Sequence, residues 1–185
     1  MNGYNDPRRD AMFKQSKFTN ATNGFHGLRS GINIPDQAIS NLYSNYKVTT
    51  DSKLLWMNAA EVAFLRAEGA LRGWSMGGSA KDFYEQGIRL SFEQWGVNGV
   101  ENFLSDRTST PSLYTDPTGS NSFSGTASTI TIAWDDAASM NTNLERIITQ
   151  KWLANFPLGL ESWTEYRRTG FPKLMPAAVN NSGGI

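Results

Sequence analysis

The sequence predicts a mainly α-helical protein, built on antiparallel helix hairpins with long irregular loops and little strand. Apolar residues recur at three- and four-residue spacing over residues 55–73 and 80–95, and a similar pattern returns over 143–168. Residues 97–141 lack this spacing and are rich in Ser, Thr, Gly and Asp. With 185 residues the chain is long enough for one core, so we expect a single domain over residues 1–185.

Residues 1–53 show little periodicity and many turn-forming residues. Asn5-Asp6-Pro7 and Asn23-Gly24 are turn signals, and Ile34-Pro35-Asp36 favours an extended residue followed by a turn. The stretch from Tyr46 to Thr50 is a candidate short strand. We expect irregular structure here, wrapped on another part of the molecule.

The first predicted helix covers residues 55–73. Its regularly spaced apolar residues are Trp56, Ala59, Ala60, Ala63, Phe64, Ala67, Ala70, Leu71 and Trp74. Gly73 is expected to end the helix, and Gly77-Gly78 to form the turn that follows.

The second predicted helix covers residues 80–95 and begins with a capping box formed by Ser79 and Asp82. Gly96 is expected to end it. Its inner face holds Phe83, Tyr84, Gly87, Ile88, Ser91, Phe92 and Trp95. Small residues on both helices (Ala63, Ala67, Ala70, Gly87 and Ser91) predict a closely packed antiparallel hairpin, and Ala80, Tyr84 and Gly87 fit the spacing of a tetratricopeptide repeat helix.

The polar excursion over residues 97–141 contains the residues that we expect to contact a ligand. Tyr114, Phe123 and Trp134 lie in or beside it, where no helical period explains an aromatic residue. Exposed aromatic rings suit flat, weakly polar ligands such as sugar rings, although core packing is the alternative role. The stretch Thr129–Trp134 alternates well enough for a short strand.

Two helices are predicted over residues 143–168, with Pro157 and Gly159 between them. Thr142 and Glu145 resemble a capping box at the start of the first. The second is expected to turn Leu160, Trp163 and Tyr166 inward, and residues 180–185 to form an unanchored tail. Core packing is the first explanation for the tryptophans on helical faces, which are Trp56, Trp74, Trp95, Trp152 and Trp163.

Charge and composition argue against several classes of function. Seventeen basic and 17 acidic residues cancel, so no electrostatic footprint predicts binding to nucleic acid or to an anionic membrane surface. There is no cysteine, and His26 is a lone histidine that we interpret as a loop residue, so neither a metal site nor a cofactor is expected. No apolar run is long enough to span a bilayer.

No catalytic residue is expected, and we do not expect an enzyme. The sequence has no G-x-S-x-G turn and no phosphate-binding glycine loop. Its acid pairs are Glu61 with Glu68, Glu161 with Glu165, and Asp135 with Asp136, and we expect them to be solvated or paired with Arg72, Arg167 or Arg168. A glycoside hydrolase that uses Glu161 or Asp135 stays open as the less favoured alternative.

Several stretches together resemble the SusD/RagB family of outer-membrane nutrient-binding lipoproteins. Trp56–Ala70 is similar to that family's AEV-x-FL-x-AEA helix, and Arg72-Gly73-Trp74 with Tyr84–Ser91 resembles the helix that follows it. The segments Ile148–Ala154, Gly159–Trp163 and Tyr166–Pro172 resemble the QKW, G-x-E-x-W and YRRTG-P motifs, and Asn5–Arg9 is similar to a D-P-R stretch. The order and spacing of these motifs make the resemblance specific.

The resemblance implies a SusD-like α-α superhelix of tetratricopeptide-like hairpins and a surface lipoprotein of Gram-negative Bacteroidetes. It implies binding of a glycan or another nutrient for polysaccharide utilisation, with a SusC-like TonB-dependent outer-membrane transporter as partner. The chain would be part of a longer family member, whose lipid anchor lies outside these residues. The family's sugar contacts vary, so none is transferred. A helical interaction scaffold without its own ligand site is the alternative function.

Overall fold

A computed structural model describes residues 1–20, 24–32, 36–53 and 55–180. Within these ranges the fold is mainly α-helical, as predicted, and the extended backbone forms only an isolated antiparallel bridge between Phe13 and Tyr46. The described residues form seven helices: α1 (Arg8–Met12), α2 (Gln37–Ser40), α3 (Ala59–Leu71), α4 (Ala80–Trp95), α5 (Val100–Leu104), α6 (Met140–Ala154) and α7 (Gly159–Thr169). The predictions for Asn23, for Ile34-Pro35 and for residues 181–185 lie outside the described residues.

Helices α3 and α4 form the predicted hairpin. The Ser79–Asp82 capping box is present in both directions, and Gly96 ends α4 with φ of 61°. The two helices approach closely at Gly87, where a Cβ atom would lie 2.7 Å from the ring of Phe64. Only glycine leaves room for that ring, so the predicted close packing of the hairpin has a direct steric basis.

Helix α3 is shorter than the predicted helix over residues 55–73. The Asn58 side chain accepts a hydrogen bond from the backbone N–H of Ala60 at 2.9 Å, so the helix begins at Ala59. Trp56 and Trp74 therefore lie on the flanking turns, where they are 86% and 63% exposed. The expected core packing is wrong for both residues, because the helical period that predicted it does not extend to them.

The start of α6 also differs from the prediction. Ser139, three residues before Thr142, caps the helix by accepting the backbone N–H of Thr142 at 3.1 Å. The predicted box of Thr142 and Glu145 is wrong because Glu145 is buried inside the helix, where it binds the Ser128 hydroxyl and pairs with Lys173 at 3.1 Å.

Helix α7 packs with a polar face inward, contrary to the predicted apolar face. Leu160 is 83% exposed and Trp163 is 49% exposed, while Ser162 is buried. Ion pairs hold the helix instead: Glu165 lies 3.0 Å from Lys151 of α6, and Arg168 lies 2.6 Å from Glu68 of α3. Glu165 and Arg168 thus form the inward face of α7, and Leu160 and Trp163 lie on its outer face.

Residues 128–134 have no regular secondary structure and bend at Ile132 and Ala133, so the predicted strand Thr129–Trp134 does not form. The side chains of Ile130 and Ile132 are buried, as strand alternation requires, but the described residues form no β-bridge here, and Ala133 donates its backbone N–H to the Asp106 carbonyl at 2.9 Å. Side chains satisfy its carbonyls instead, with Tyr4 donating to Ile130 at 3.1 Å and Tyr84 to Ile132 at 2.7 Å. Two side chains, one from the N-terminal turn and one from α4, thus hold the segment in place.

The core is one apolar cluster that joins α3, α4 and α6 with the segment 128–134. Its central side chains, with no exposed surface, are Phe64, Ala67, Ile88, Ile132, Ile147, Ile148 and Ala154. Helix α5, which was not predicted within residues 97–141, adds Phe103 and Leu104. Among the described helices, none is long and apolar enough to cross a bilayer.

A buried polar group connects α1 to this core. Arg8 has no exposed surface and pairs with Asp6 at 2.6 Å, which is also fully buried. The Arg8 guanidinium also donates to the hydroxyl of Ser91 at 2.9 Å and to the amide oxygen of Gln150 at 2.8 Å. The aromatic ring of Phe92 lies beneath it, 5.0 Å away. One side chain thereby joins three segments that are distant in sequence.

Candidate functional site

An open cavity of about 700 Å³ lies between the N-terminal segment and the polar excursion. Three parts of the chain contribute most of its lining: the N-terminal part through residues 9, 13 and 25–28, then residues 44 and 46, and then residues 112–115. Its aromatic lining residues are Phe13, Phe25, Tyr46 and Tyr114, and its hydrogen-bonding side chains include Asn2, Arg9, His26, Ser44 and Thr115. Aromatic surface with a few polar groups is typical of a small-ligand site.

Backbone hydrogen bonds bring the first two parts together. Lys14 donates its N–H to the carbonyl of Asn45 at 2.6 Å, and Lys47 donates to Met12 at 2.8 Å, which places Phe13 beside Tyr46. Next to this bridge, Ser44 donates to the His26 carbonyl at 2.7 Å. The short pairing fixes one wall of the cavity without a sheet.

Arg9 and Phe25 form a stacked pair in this lining. The Arg9 guanidinium carbon lies 4.3 Å from the centre of the Phe25 ring, which is a favourable cation–π distance. Arg9 donates to the side-chain oxygen of Asn2 at 3.2 Å and to Asp10 at 3.0 Å. Asn2 in turn donates to the Phe25 carbonyl at 2.7 Å. The guanidinium plane is therefore held in one orientation.

Asp116 organises the loop behind Tyr114. Its carboxylate accepts hydrogen bonds from the Tyr43 hydroxyl at 2.7 Å, the Thr118 hydroxyl at 2.6 Å and the Asn121 side-chain amide at 2.9 Å. Burial alone would raise the pKa of Asp116, but these donors outweigh it and lower the pKa to about 2. The carboxylate is thus charged at neutral pH and keeps the loop in place.

Of the three residues expected to contact a ligand, Tyr114 alone lines this cavity among the described contacts. Its hydroxyl is buried and makes no hydrogen bond of good geometry with the described residues, and burial raises its pKa above the ordinary value. Such a hydroxyl is commonly completed by water or a ligand.

Phe123 lies next to Tyr114 but outside the cavity lining. Its backbone N–H donates to the Tyr114 carbonyl at 2.9 Å, and the guanidinium of Arg29 lies 5.2 Å from its ring centre. The structure brings these two predicted residues into one loop, where Phe123 supports the segment that carries Tyr114.

Trp134 lies apart from the other two predicted residues. It is 7% exposed within the core, with its ring 5.3 Å from that of Tyr84 and its indole N–H donating to Asp136 at 2.9 Å. This placement gives it a packing role and leaves little ring surface for a ligand.

Four further lining residues, absent from the predicted ligand contacts, are Arg9, Phe13, Phe25 and Tyr46. Three of them are aromatic residues outside any helical period, as Tyr114 is, and this shared property marks them in the sequence. His26, interpreted as a loop residue, lies in a loop and also contributes to the lining.

Glu68 pairs with Arg72 and Arg168, as expected, whereas Glu61 pairs with a lysine and not with one of the expected arginines. Lys151 lies between Glu61 at 3.2 Å and Glu165 at 3.0 Å, and Glu68 binds Arg168. Among the described residues that line the cavity there is no Asp or Glu. The lining therefore offers a sugar no pair of carboxyl groups of the kind that a glycosidase uses.

Groups of three or more side chains able to hold a metal ion do not occur in the described part of the chain. The cavity can therefore stack against rings through Phe13, Phe25, Tyr46 and Tyr114 and can donate hydrogen bonds through its polar residues. Stacking and hydrogen bonding bind a ligand without breaking its bonds.

A family model and several solved structures match this chain, and they agree with one another. The family model described as Susd and RagB outer membrane lipoprotein matches residues 1–185. A SusD homolog from Bacteroides uniformis ATCC 8492 is 53% identical, with a TM-score of 0.94 over 100% of this chain and 38% of its own.

Two further solved structures are similar. A SusD homolog from Bacteroides thetaiotaomicron VPI-5482 is 52% identical, with a TM-score of 0.91 over 98% of this chain and 38% of its own. A chitin-binding SusD homolog from Flavobacterium johnsoniae is 46% identical, with a TM-score of 0.90 over 100% of this chain and 38% of its own. The chain thus spans 38% of the length of these relatives. Among curated proteins none matches.

Proposed function

Because this chain belongs to the SusD-like family of outer-membrane lipoproteins, we propose that it binds a glycan or another nutrient at the cell surface without cleaving it. The bound nutrient would pass to a SusC-like TonB-dependent transporter. The observation that supports ligand binding by these residues is the open cavity with its four aromatic side chains, Phe13, Phe25, Tyr46 and Tyr114.

The size and lining of the cavity fit this role. Its volume of about 700 Å³ is within the range of small-ligand sites, large enough for a short oligosaccharide. Aromatic rings stack against the apolar faces of sugars, while Asn2, Arg9, Ser44 and Thr115 offer hydrogen bonds to hydroxyl groups. The chitin-binding relative from Flavobacterium johnsoniae supports a glycan as the ligand class.

Calorimetry with a panel of oligosaccharides tests the proposal. Tyr46 is 58% exposed, so Tyr46→Ala removes stacking surface with little effect on folding. We expect Tyr46→Ala and Tyr114→Ala each to weaken binding by about tenfold, corresponding to about 1.4 kcal/mol of lost contact.

Trp74→Ala is the control, since Trp74 is an exposed aromatic residue outside the cavity lining. Circular dichroism would verify that each variant is folded. Absence of binding to every oligosaccharide, or equal affinity in the two cavity variants and the wild type, would overturn the proposal.

A protein-interaction scaffold is the second candidate, and exposed apolar residues favour it. Trp56, Met57 and Leu160 are each more than four-fifths exposed, at 86%, 83% and 83%. Such residues suit a protein interface. In that case Trp56→Ala would weaken nutrient uptake, whereas Tyr46→Ala would leave uptake unchanged.

A further inference from the structure

We infer that the cavity prefers acidic glycans, whose sugars carry a carboxylate or a sulfate, and that Arg9 binds this anionic group. The inference rests on the proposed function, because it names the ligand class of the same cavity. Three observations carry it: the sign of the charges in the lining, the free hydrogen-bond donors of Arg9, and the fixed orientation of its guanidinium.

The charges in the lining are of one sign. Arg9 contributes a guanidinium, and among the described lining residues there is no carboxylate that would repel an anion. The remaining polar side chains, such as Asn2, Ser44 and Thr115, are neutral. The chain as a whole has no net charge, so this bias belongs to the cavity and is not a property of the composition.

Arg9 keeps donors available for a ligand. A guanidinium carries five N–H groups, and the hydrogen bonds of Arg9 to Asp10 and Asn2 use only its Nε and one group on Nη1. Nη2 is therefore free of partners in the described structure. Nη2 can therefore donate to an oxygen of a carboxylate or sulfate, and the second N–H group of Nη1 is the neighbouring donor for the other oxygen.

Asp10 offsets little of this charge. Its side chain is 63% exposed and it is not among the residues that line the cavity. Ion pairs with an exposed partner are weak because water screens them. An anionic ligand group can therefore bind the free edge of Arg9 while Asp10 stays on the other edge.

The stacking on Phe25 holds Arg9 in place before a ligand arrives. With the guanidinium carbon 4.3 Å from the ring centre, and Asn2 bound to both Arg9 and the Phe25 carbonyl, few side-chain rotations remain to be lost on binding. Preorganisation of this kind raises affinity. Lysine at this position would keep the charge but lose the flat, two-pronged geometry.

The experiment compares acidic oligosaccharides with neutral partners of matched structure. Oligogalacturonate and its methyl ester differ in the charge of the carboxyl group, and sulfated and unsulfated galactan oligosaccharides form a second pair. Calorimetry with the 185-residue chain should show at least about tenfold tighter binding of one acidic member than of its neutral partner. The pair that shows this preference distinguishes a carboxylate from a sulfate.

Three variants test the role of Arg9. Arg9→Gln should abolish the preference while the neutral oligosaccharide binds as before, and Arg9→Lys should retain part of it. Asp10→Asn should change binding of the acidic member little, because the exposed Asp10 carboxylate offsets little of the Arg9 charge. Arg107→Gln, which removes the same charge from an exposed position outside this cavity, is the matched control and should change nothing.

Each outcome separates this inference from the proposed function. Equal affinity for acidic and neutral partners, with both lost in Tyr46→Ala, would overturn the acidic preference and leave glycan binding intact. An acidic preference that survives in Arg9→Gln would overturn the assignment of Arg9. Failure of every oligosaccharide to bind would overturn the proposed function itself.

Discussion

Arg8 shows how much of this fold depends on one charged residue. It is fully buried, and its partners Ser91 and Gln150 lie 83 and 142 positions away in the sequence. A buried ion pair contributes little compared with apolar packing, but removing one partner leaves the other charge without compensation. The unpaired group would be Asp6, which has no exposed surface.

We therefore expect Arg8→Met to lower the free energy of unfolding by about 3–5 kcal/mol. Urea denaturation measures this change. The double variant Asp6→Asn with Arg8→Met should be more stable than Arg8→Met alone, because the buried charge is then absent. Arg107→Met, at an exposed position, is the control. A loss below about 1 kcal/mol in Arg8→Met would contradict this account.

The sequence identified this residue only in part. The Asp6-Pro7-Arg8 motif was recognised through its resemblance to a family stretch, but charged residues are rarely buried, so nothing in the pattern predicted full burial of Arg8. Its partners are set by the packing of α1 against α4 and by the position of Gln150 on α6. Long-range polar contacts of this kind cannot be inferred from local periodicity.

At the scale of elements, the α3–α4 hairpin depends on the close approach at Gly87. A methyl group there would lie 2.7 Å from the Phe64 ring, and Phe64 has no exposed surface into which it could move. Overpacking in a core costs more stability than the improved helix propensity of alanine returns.

Gly87→Ala should accordingly lower the free energy of unfolding by about 1–3 kcal/mol in chemical denaturation. Gln86→Ala, at the neighbouring exposed position of the same helix, should be near neutral. The double variant Gly87→Ala with Phe64→Leu should be less destabilised than the sum of the two single changes, because the smaller side chain relieves the clash. Additive losses would show that the Phe64 ring is not the obstacle.

Local sequence predicts the bounds and the inward face of some helices but only the bounds of others. Helix α4 was predicted from Ala80 to Trp95, as observed, since its capping box, apolar face and terminal glycine all agree. Helix α7 was predicted in extent but not in orientation, because ion pairs to Lys151 and Glu68 decide which face turns inward. Apolar spacing contains no information about such partners.

At the scale of the whole molecule, charged contacts join α7 to the rest of the fold. Burial alone would raise the pKa of Glu68, but hydrogen bonds from Arg168 and Arg72 outweigh it, so its pKa is lowered from the ordinary value of 4.5. A carboxyl group whose pKa is lower in the folded state stabilises the fold above its ordinary pKa. This stabilisation is lost as the pH falls through the folded value.

We expect Arg168→Gln to lower the free energy of unfolding at neutral pH by about 1–2 kcal/mol, allowing for solvent screening of this half-exposed arginine. Between neutral pH and about pH 3, the variant should also lose less stability than the wild type, because one acid-sensitive contact is already gone. Urea denaturation across this range measures both effects. Arg167→Gln, on the exposed side of α7, is the control. Parallel pH profiles for Arg168→Gln and the wild type would contradict the role of Glu68.

The candidate site forms only when distant parts of the chain fold together, so the sequence predicts it only in part. Tyr114 is a predicted ligand contact because an aromatic residue stands out in a polar stretch. Trp134 met the same criterion, but its ring fills the core beside Tyr84. Phe25 and Tyr46 join Tyr114 only through the folding of three distant segments around one cavity. Sequence alone could nominate individual aromatic residues but could not show which of them meet.

The contacts of the segment from Ser128 to Trp134 bear on whether copies of this protein aggregate in solution. Its sequence, rich in Thr and Ile, is of the type that adds to exposed strand edges and starts aggregation. Here three successive carbonyls are already occupied by Tyr4, Arg146 and Tyr84, at 3.1, 3.2 and 2.7 Å. A second molecule therefore finds these three acceptors occupied, which disfavours the addition of a strand along this segment.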